Sequence, residues 1–247
     1  MDNRPIGVFD SGLGGLTVLK EIMKIIPNEN IVYFGDTARV PYGPRSKETI
    51  IKYTFQAIDF LISKNVKAIV IACNTATARA LKEANEKYDL PIIGVIGTDG
   101  TIRSKAYNKE IEKIDSEIKI VDKSCPLFVP IVEEGWANTD IASLTAKRYL
   151  EELMEEGIDS LVLGCTHYPL LKRTIGEIVG ENVKLVNPAK ETAKDLKEIL
   201  ENNNMLRLDS EIEPKYEYYV SDIPEKFAAI AEEFLKKEIE DIKNVRI

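Results

Sequence analysis

The chain has 247 residues, 44% of them hydrophobic and 30% charged, which is enough material for one large domain or two smaller ones, each with its own core. A formal net charge of −8 excludes the basic stripe that nucleic acid requires, while leaving backbone amides and hydroxyls free to hold a small acidic substrate. No run of about 18 apolar residues occurs, which excludes a membrane-spanning helix and leaves neither nucleic acid nor membrane as an expected partner.

The opening MDNRPIGVFDSG has no basic segment ahead of an apolar stretch, and Asp10 interrupts it, so no secretory signal is read there. Three cysteines, an odd number, fit a reduced cytoplasmic setting. Strands are expected at 5–10, 30–34, 67–72, 91–96, 117–121, 159–163, 182–186 and 216–220, where short apolar runs occur. Helices are expected at 15–26, 47–64, 76–88, 137–156, 168–179, 188–202 and 224–240. Continuously apolar strands alternating with helices predict an α/β protein with parallel sheets covered on both faces.

The chain repeats itself. With an offset of 92, AIVIACNTATARAL (68–81) lies over SLVLGCTHYPLLKR (160–173), so Cys73 aligns with Cys165. Upstream, Ile58, Leu61 and Ile62 align with Leu150, Leu153 and Met154, the expected buried face of the preceding helix. IGVFDSG (6–12) also resembles IGVIGTDG (93–100). Ligands in open α/β sheets sit outside the carboxyl ends of strands, and both cysteines fall at such ends. Two similar domains facing each other would place one thiol on each side of a cleft.

A lone cysteine is most simply a small buried hydrophobe, and Cys125 is read that way. Cys73 and Cys165 share a frame, each before an expected helix whose N-terminus favours a thiolate. His167, the only histidine, reads as a proton partner for Cys165, and Asp10 reads as an N-cap or as a carboxylate at the edge shared with Cys73. In DSGLGGLTV, Thr17 stands where a dinucleotide loop has its third glycine, and Asp36 lies where a ribose-binding acid would be. Cys73, Cys165, His167 and Asp10 lack the compact spacing of a metal site, and none is expected.

Two facing thiols can invert a carbon centre: one removes a proton, the other delivers one to the opposite face, with no redox change or metal. A free thiol has pKa about 8.5, and bringing it to half ionised at neutral pH takes roughly 2 kcal/mol.

GVFDSGLGGLTVL, YFGDTARVPYGPRS, ACNTATA and LGCTHYPLL together resemble the glutamate racemases of the aspartate/glutamate racemase superfamily. The resemblance covers nearly the whole chain. It implies two similar doubly wound α/β domains, 1–96 with about 207–247 and then 97–206, with the active site in the cleft between them. It implies interconversion of L- and D-glutamate for peptidoglycan without pyridoxal phosphate or other cofactor, in a cytoplasmic homodimer. It further implies Cys73 and Cys165 as acid/base thiols, Asp10 and His167 as their assistants, and Ser11, Tyr42, Gly43, Asn74, Thr75, Thr98 and Thr166 as substrate-holding positions beside Asp10 and His167. Alternatives are racemisation of aspartate or another amino acid, a nucleotide-dependent oxidoreductase, and a non-catalytic binding protein with the same cleft.

The chain departs from the family at one point. Where the family has a helix and a second glycine-bearing strand after a stretch like LPIIGVI, this sequence runs LPIIGVIGTDGTIRS directly. That join predicts either residues absent between 91 and 101 or a naturally short connection. The former is favoured, because losing a helix and a strand exposes apolar surface and unpaired backbone. A Cα–Cα step beyond about 3.8 Å would mark the break.

Overall fold

The computed structural model describes residues 2–87, 92–94, 102, 105–114, 119–207, 212–239 and 241–247. Thr98 and most of the 91–101 join lie outside them.

Strands β1 (Ile6–Asp10), β2 (Ile31–Gly35) and β3 (Ala68–Ile71) are buried at every residue. They belong to a six-stranded, all-parallel sheet in the order β4-β3-β1-β2-β7-β8, completed by β4 (Ile92–Gly94), β7 (Tyr216–Val220) and β8 (Ile242–Asn244). Full burial explains the continuous apolar runs, since a parallel sheet is covered on both faces. The two-residue period still sorts side chains. Ile6, Val8, Tyr33, Val70 and Val220 enter one core, and Phe9, Phe34, Ile69, Ile71 and Cys73 the other.

Helix α1 (Leu16–Ile25) covers the first face, and α2 (Lys47–Ser63) covers the second. The Ser46 hydroxyl caps α2 by accepting from Thr49 N at 3.2 Å. Ile58 and Leu61 are buried as the repeat requires, but Ile62 is exposed, because the stripe follows Ile50, Thr54, Ala57, Ile58 and Leu61. Helix α3 (Asn74–Lys87) follows β3, and α4 (Ala106–Ile114) lies further on.

A second core is built from α5 (Phe128–Glu133), α6 (Asp140–Glu155), α7 (Lys172–Val179) and a two-stranded parallel sheet of β5 (Ser160–Val162) and β6 (Lys184–Val186). Helix α8 (Pro188–Asn202) is capped by Asn187 and packs Ala189, Ala193, Leu196 and Leu200 into the first core, against α1. Helix α9 is Pro224–Leu235.

Several elements differ from expectation. Residues 119–121 form no strand and enter no ladder among the described residues; 117 and 118 lie outside those residues. The expected helix 168–179 begins as a separate 3₁₀ turn, Tyr168–Leu171, with Pro169 in its first positions. The helix expected to reach 240 ends where Lys236 turns left-handed at φ 55°, freeing the chain to form β8. The short helices α4 and α5 carry too few turns to show a period in the sequence.

Candidate active site

Asp10 ends β1 at the centre of the large sheet and is completely buried. Its Oδ2 accepts from Gly12 N at 2.8 Å, while Oδ1 meets no hydrogen-bond partner among the described residues. Burial raises its pKa, opposed by the charge on His167. The loop that follows must be glycine-rich. A Cβ at Gly15 would stand 2.5 Å from the Asp10 Cβ, and one at Gly14 would stand 2.3 Å from both His167 Nδ1 and Thr166 Oγ1.

Cys73 leaves β3 and directly precedes α3. Its Sγ donates to Ser11 Oγ at 3.2 Å. The helix terminus does not produce the expected thiolate: burial, and then the Asp10 carboxylate, push the Cys73 thiol up to about 12. Across the seam, Cys165 Sγ lies 4.0 Å from His167 Nδ1, and His167 Nε2 lies 3.2 Å from Glu133 Oε1. Cys165 precedes the 3₁₀ turn rather than an α-helix, so the two cysteine loops differ in local field.

Two hydrogen bonds tie the halves together. Asn74 Nδ2 donates to Gly164 O at 3.2 Å, joining the neighbours of the two cysteines. Thr17 Oγ1 donates to Thr166 O at 3.0 Å. Between them lies a cavity of about 10 Å³, bordered by Thr17, Asn74, Cys165, Thr166 and Asn187. The arrangement thus brings Asp10, Ser11, Cys73 and Asn74 to one side and Cys165, Thr166 and His167 to the other, with Thr75 buried beside Asn74.

Tyr42 is buried, but its hydroxyl donates to Asp36 Oδ2. Asp36 also accepts from Arg39 Nε at 2.6 Å and from Ser221 Oγ at 2.8 Å, so neither carboxylate oxygen is left for a ribose. Gly43 faces open space, with nothing within 4 Å of where a Cβ would sit. Cys125 is buried in the second core, its Sγ 3.9 Å from Lys123 O. No group of three or more potential metal ligands occurs among the described residues, and no described helix is long and apolar enough to cross a membrane.

Sequence reasoning missed Glu133, which ends α5 and reaches the histidine 34 positions later. The only local signal is an acidic pair after the apolar FVPIV. Its effect is large. Burial opposes a charged imidazole, but the Cys165 and Glu133 contacts outweigh burial and hold His167 up to about 10. Since this lies above the ordinary 6.5, the fold favours the cation; that stabilisation is complete below about pH 6.5 and is lost as pH rises through about 10. The chain has one histidine, so a single imidazole NMR signal reports it. We expect its titration midpoint near 10 in the wild type and clearly lower in Glu133→Gln; a midpoint near 6.5 in both would contradict the assignment.

The family profile Asp/Glu/Hydantoin racemase matches residues 93–196. A glutamate racemase from Geobacter metallireducens is 48% identical over 263 aligned positions, covering 99% of this chain and 97% of the relative. One from Thermoanaerobacter pseudethanolicus is 46% identical over 266 positions, covering 100% and 99%. The crystal structure of the Francisella tularensis glutamate racemase in complex with D-glutamate matches with a TM-score of 0.90 at 42% identity, covering 100% of this chain and 98% of that one. Identity of this size over both full lengths, on a shared fold, makes this chain a member of the glutamate racemase family.

Proposed function

We propose that this protein interconverts L- and D-glutamate by a two-thiol acid/base reaction, supplying D-glutamate for peptidoglycan. The observation that carries the reading is the meeting of two repeated cysteine loops, bonded through Asn74 and Gly164 at the carboxyl ends of parallel strands. Cys73 works on one face of the substrate Cα and Cys165 on the other. One sulfur takes the Cα proton as its lone pair forms the S–H bond. The electron pair left on carbon then takes the proton of the opposite thiol, and the configuration inverts.

The environments divide the labour. Cys73, held as a thiol beside Ser11, is poised to donate. The His167 cation, 4.0 Å from Cys165 Sγ, gives a thiolate formed there a counter-charge. Ser11, Asn74, Thr75 and Thr166 supply hydrogen bonds for the carboxylates and amine. Tyr42 acts through its main chain with Gly43, because its hydroxyl is engaged by Asp36.

The reading includes two units, 1–96 with 207–247 and 97–206. The packing of α8 on the first core supports a broad contact between them. It also includes a cytoplasmic homodimer, supported by three free cysteines and by the exposed side chains of Leu127, Trp136, Ile141 and Leu144; sedimentation tests the dimer.

The deciding experiment follows the circular dichroism of L-glutamate and L-aspartate incubated with the protein in D₂O. Glutamate should lose its signal and gain deuterium at Cα. Turnover of aspartate alone would reassign the substrate, and turnover of neither would leave a binding protein. Because Asp10 bears on Cys73 and His167 on Cys165, Asp10→Asn and His167→Asn should slow the L-to-D and D-to-L rates unequally. Equal losses in both directions would remove these roles.

A further inference from the structure

The two cysteine loops differ in the residue ahead of the sulfur. At the offset of 92, Gly164 stands where the first half has Ala72, whose side chain is wholly buried in the first core. The backbone does not impose that glycine, since Gly164 lies outside the left-handed φ region where glycine is favoured. A neighbour does. A Cβ at Gly164 would stand 3.0 Å from Tyr107 Cε2 and 3.6 Å from both Cζ and the hydroxyl oxygen. The phenol edge of Tyr107 crowds the place that a side chain takes in the first half.

Tyr107 is carried by α4, which is fastened on either side of it. Asp122 pairs with Lys105 Nζ at 2.6 Å and accepts from Asn108 Nδ2 at 3.1 Å. Opposite the ring, the path from β5 to Cys165 is drawn into two successive tight turns. Gly164 N donates to Val162 O and Cys165 N donates to Leu163 O, each at 2.8 Å. The Gly164 carbonyl accepts from Asn74 Nδ2 at 3.2 Å. Gly164 is therefore held between Asn74 and Tyr107, one residue before the sulfur. The phenol also senses that sulfur: burial, and then the charge on Cys165, raise its pKa above the ordinary 10, so it stays protonated.

We propose that Tyr107 is a positioning residue for the second thiol: its ring, seated against the bare Cα of Gly164, fixes the Gly164–Cys165 peptide and with it the direction of Cys165 Sγ. What the sulfur does rests on the two-thiol reading; where it points rests on the contact itself. An aromatic ring is stiff, so a methyl added at Gly164 moves the peptide rather than the neighbour. Displacing a reacting group by about 1 Å costs about 10²-fold in rate, and a shift of a few tenths is expected to cost about tenfold.

The test measures kcat and KM for both glutamate enantiomers in Gly164→Ala, Tyr107→Leu, the double variant and Tyr107→Phe, with a thermal melt of each. The first two should each lower kcat about tenfold with KM little changed, because the sulfur moves while the groups that hold substrate do not. Leucine vacates the space that the new methyl enters, so the double variant should return to within about threefold of wild type, where independent effects would multiply to about a hundredfold. Tyr107→Phe keeps the ring and should lose far less than Tyr107→Leu. Iodoacetamide alkylation, read by peptide mass spectrometry as the rate at Cys165 over that at Cys73, should rise at least about threefold in each of the two single variants and fall back in the double.

Losses that multiply, a loss carried by KM, a phenylalanine variant as slow as the leucine one, or an unchanged alkylation ratio overturns the proposal. A wild type that racemises no glutamate would sink the two-thiol reading by itself, and the alkylation ratio would still decide whether Tyr107 sets the sulfur. If Tyr107→Leu melts early, Gly164→Ala, which removes no side chain, carries both the kcat loss and the alkylation shift.

Discussion

Cys73→Ala and Cys165→Ala are each expected to slow glutamate racemisation by at least about 10²–10⁴-fold in both directions, the range for loss of a positioned acid or base. Both directions suffer because every turnover uses both sulfurs, one to remove a proton and one to return it. Cys125→Ala should retain near-wild-type turnover, since that thiol lies in the second core, 3.9 Å from the Lys123 carbonyl and away from the seam. Polarimetry or circular dichroism starting from each enantiomer measures the rates, and a thermal melt confirms that all three variants fold. If Cys125→Ala alone abolished turnover, or if either seam variant kept full activity, the two-thiol reaction would fall.

Lys67→Met is expected to lower stability by about 3–5 kcal/mol, the cost of leaving a buried charge without its partner. Lys67 is fully buried and lies 2.6 Å from Glu29 Oε2, itself 1% exposed. Its Nζ also donates to Asp2 O at 2.8 Å and Met205 O at 2.7 Å, while Glu29 Oε1 accepts from Arg207 N at 2.9 Å. One ammonium therefore fastens the start of the chain, the entry to β3 and the return after α8. Methionine preserves the stem's packing but strands the Glu29 carboxylate and two carbonyls. Folded proteins hold only about 5–15 kcal/mol in reserve, so the loss is readily seen in a urea midpoint. Adding Glu29→Gln should restore part of it, because a neutral amide is cheaper to bury than a lone carboxylate. A single variant as stable as wild type would show that the pair contributes no net stability.

Strands β1, β2 and β3 were legible because a strand buried on both faces must be apolar throughout, and that composition is written locally in VFD, IVYF and AIVIA, whereas β8, with two exposed residues, carries no such run. The cysteine frames and the glycine loop were legible for a related reason: strand ends and tight approaches restrict residue type whatever surrounds them. Residues 119–121 belong to a segment of strand-like composition but enter no ladder among the described residues, because pairing depends on a neighbour that composition does not supply. The ionisation of the site was likewise undetermined by sequence. A helix terminus favours a thiolate at Cys73, yet full burial beside Asp10 reverses the sign. Glu133 raises His167 only because the fold carries α5 to the seam. Sequence determined which residue types sit at the strand ends, since backbone geometry and burial act on each position separately. Tertiary structure decided which charges face one another and which strands pair, since Coulomb energy and ladder pairing depend on distances that no local pattern encodes.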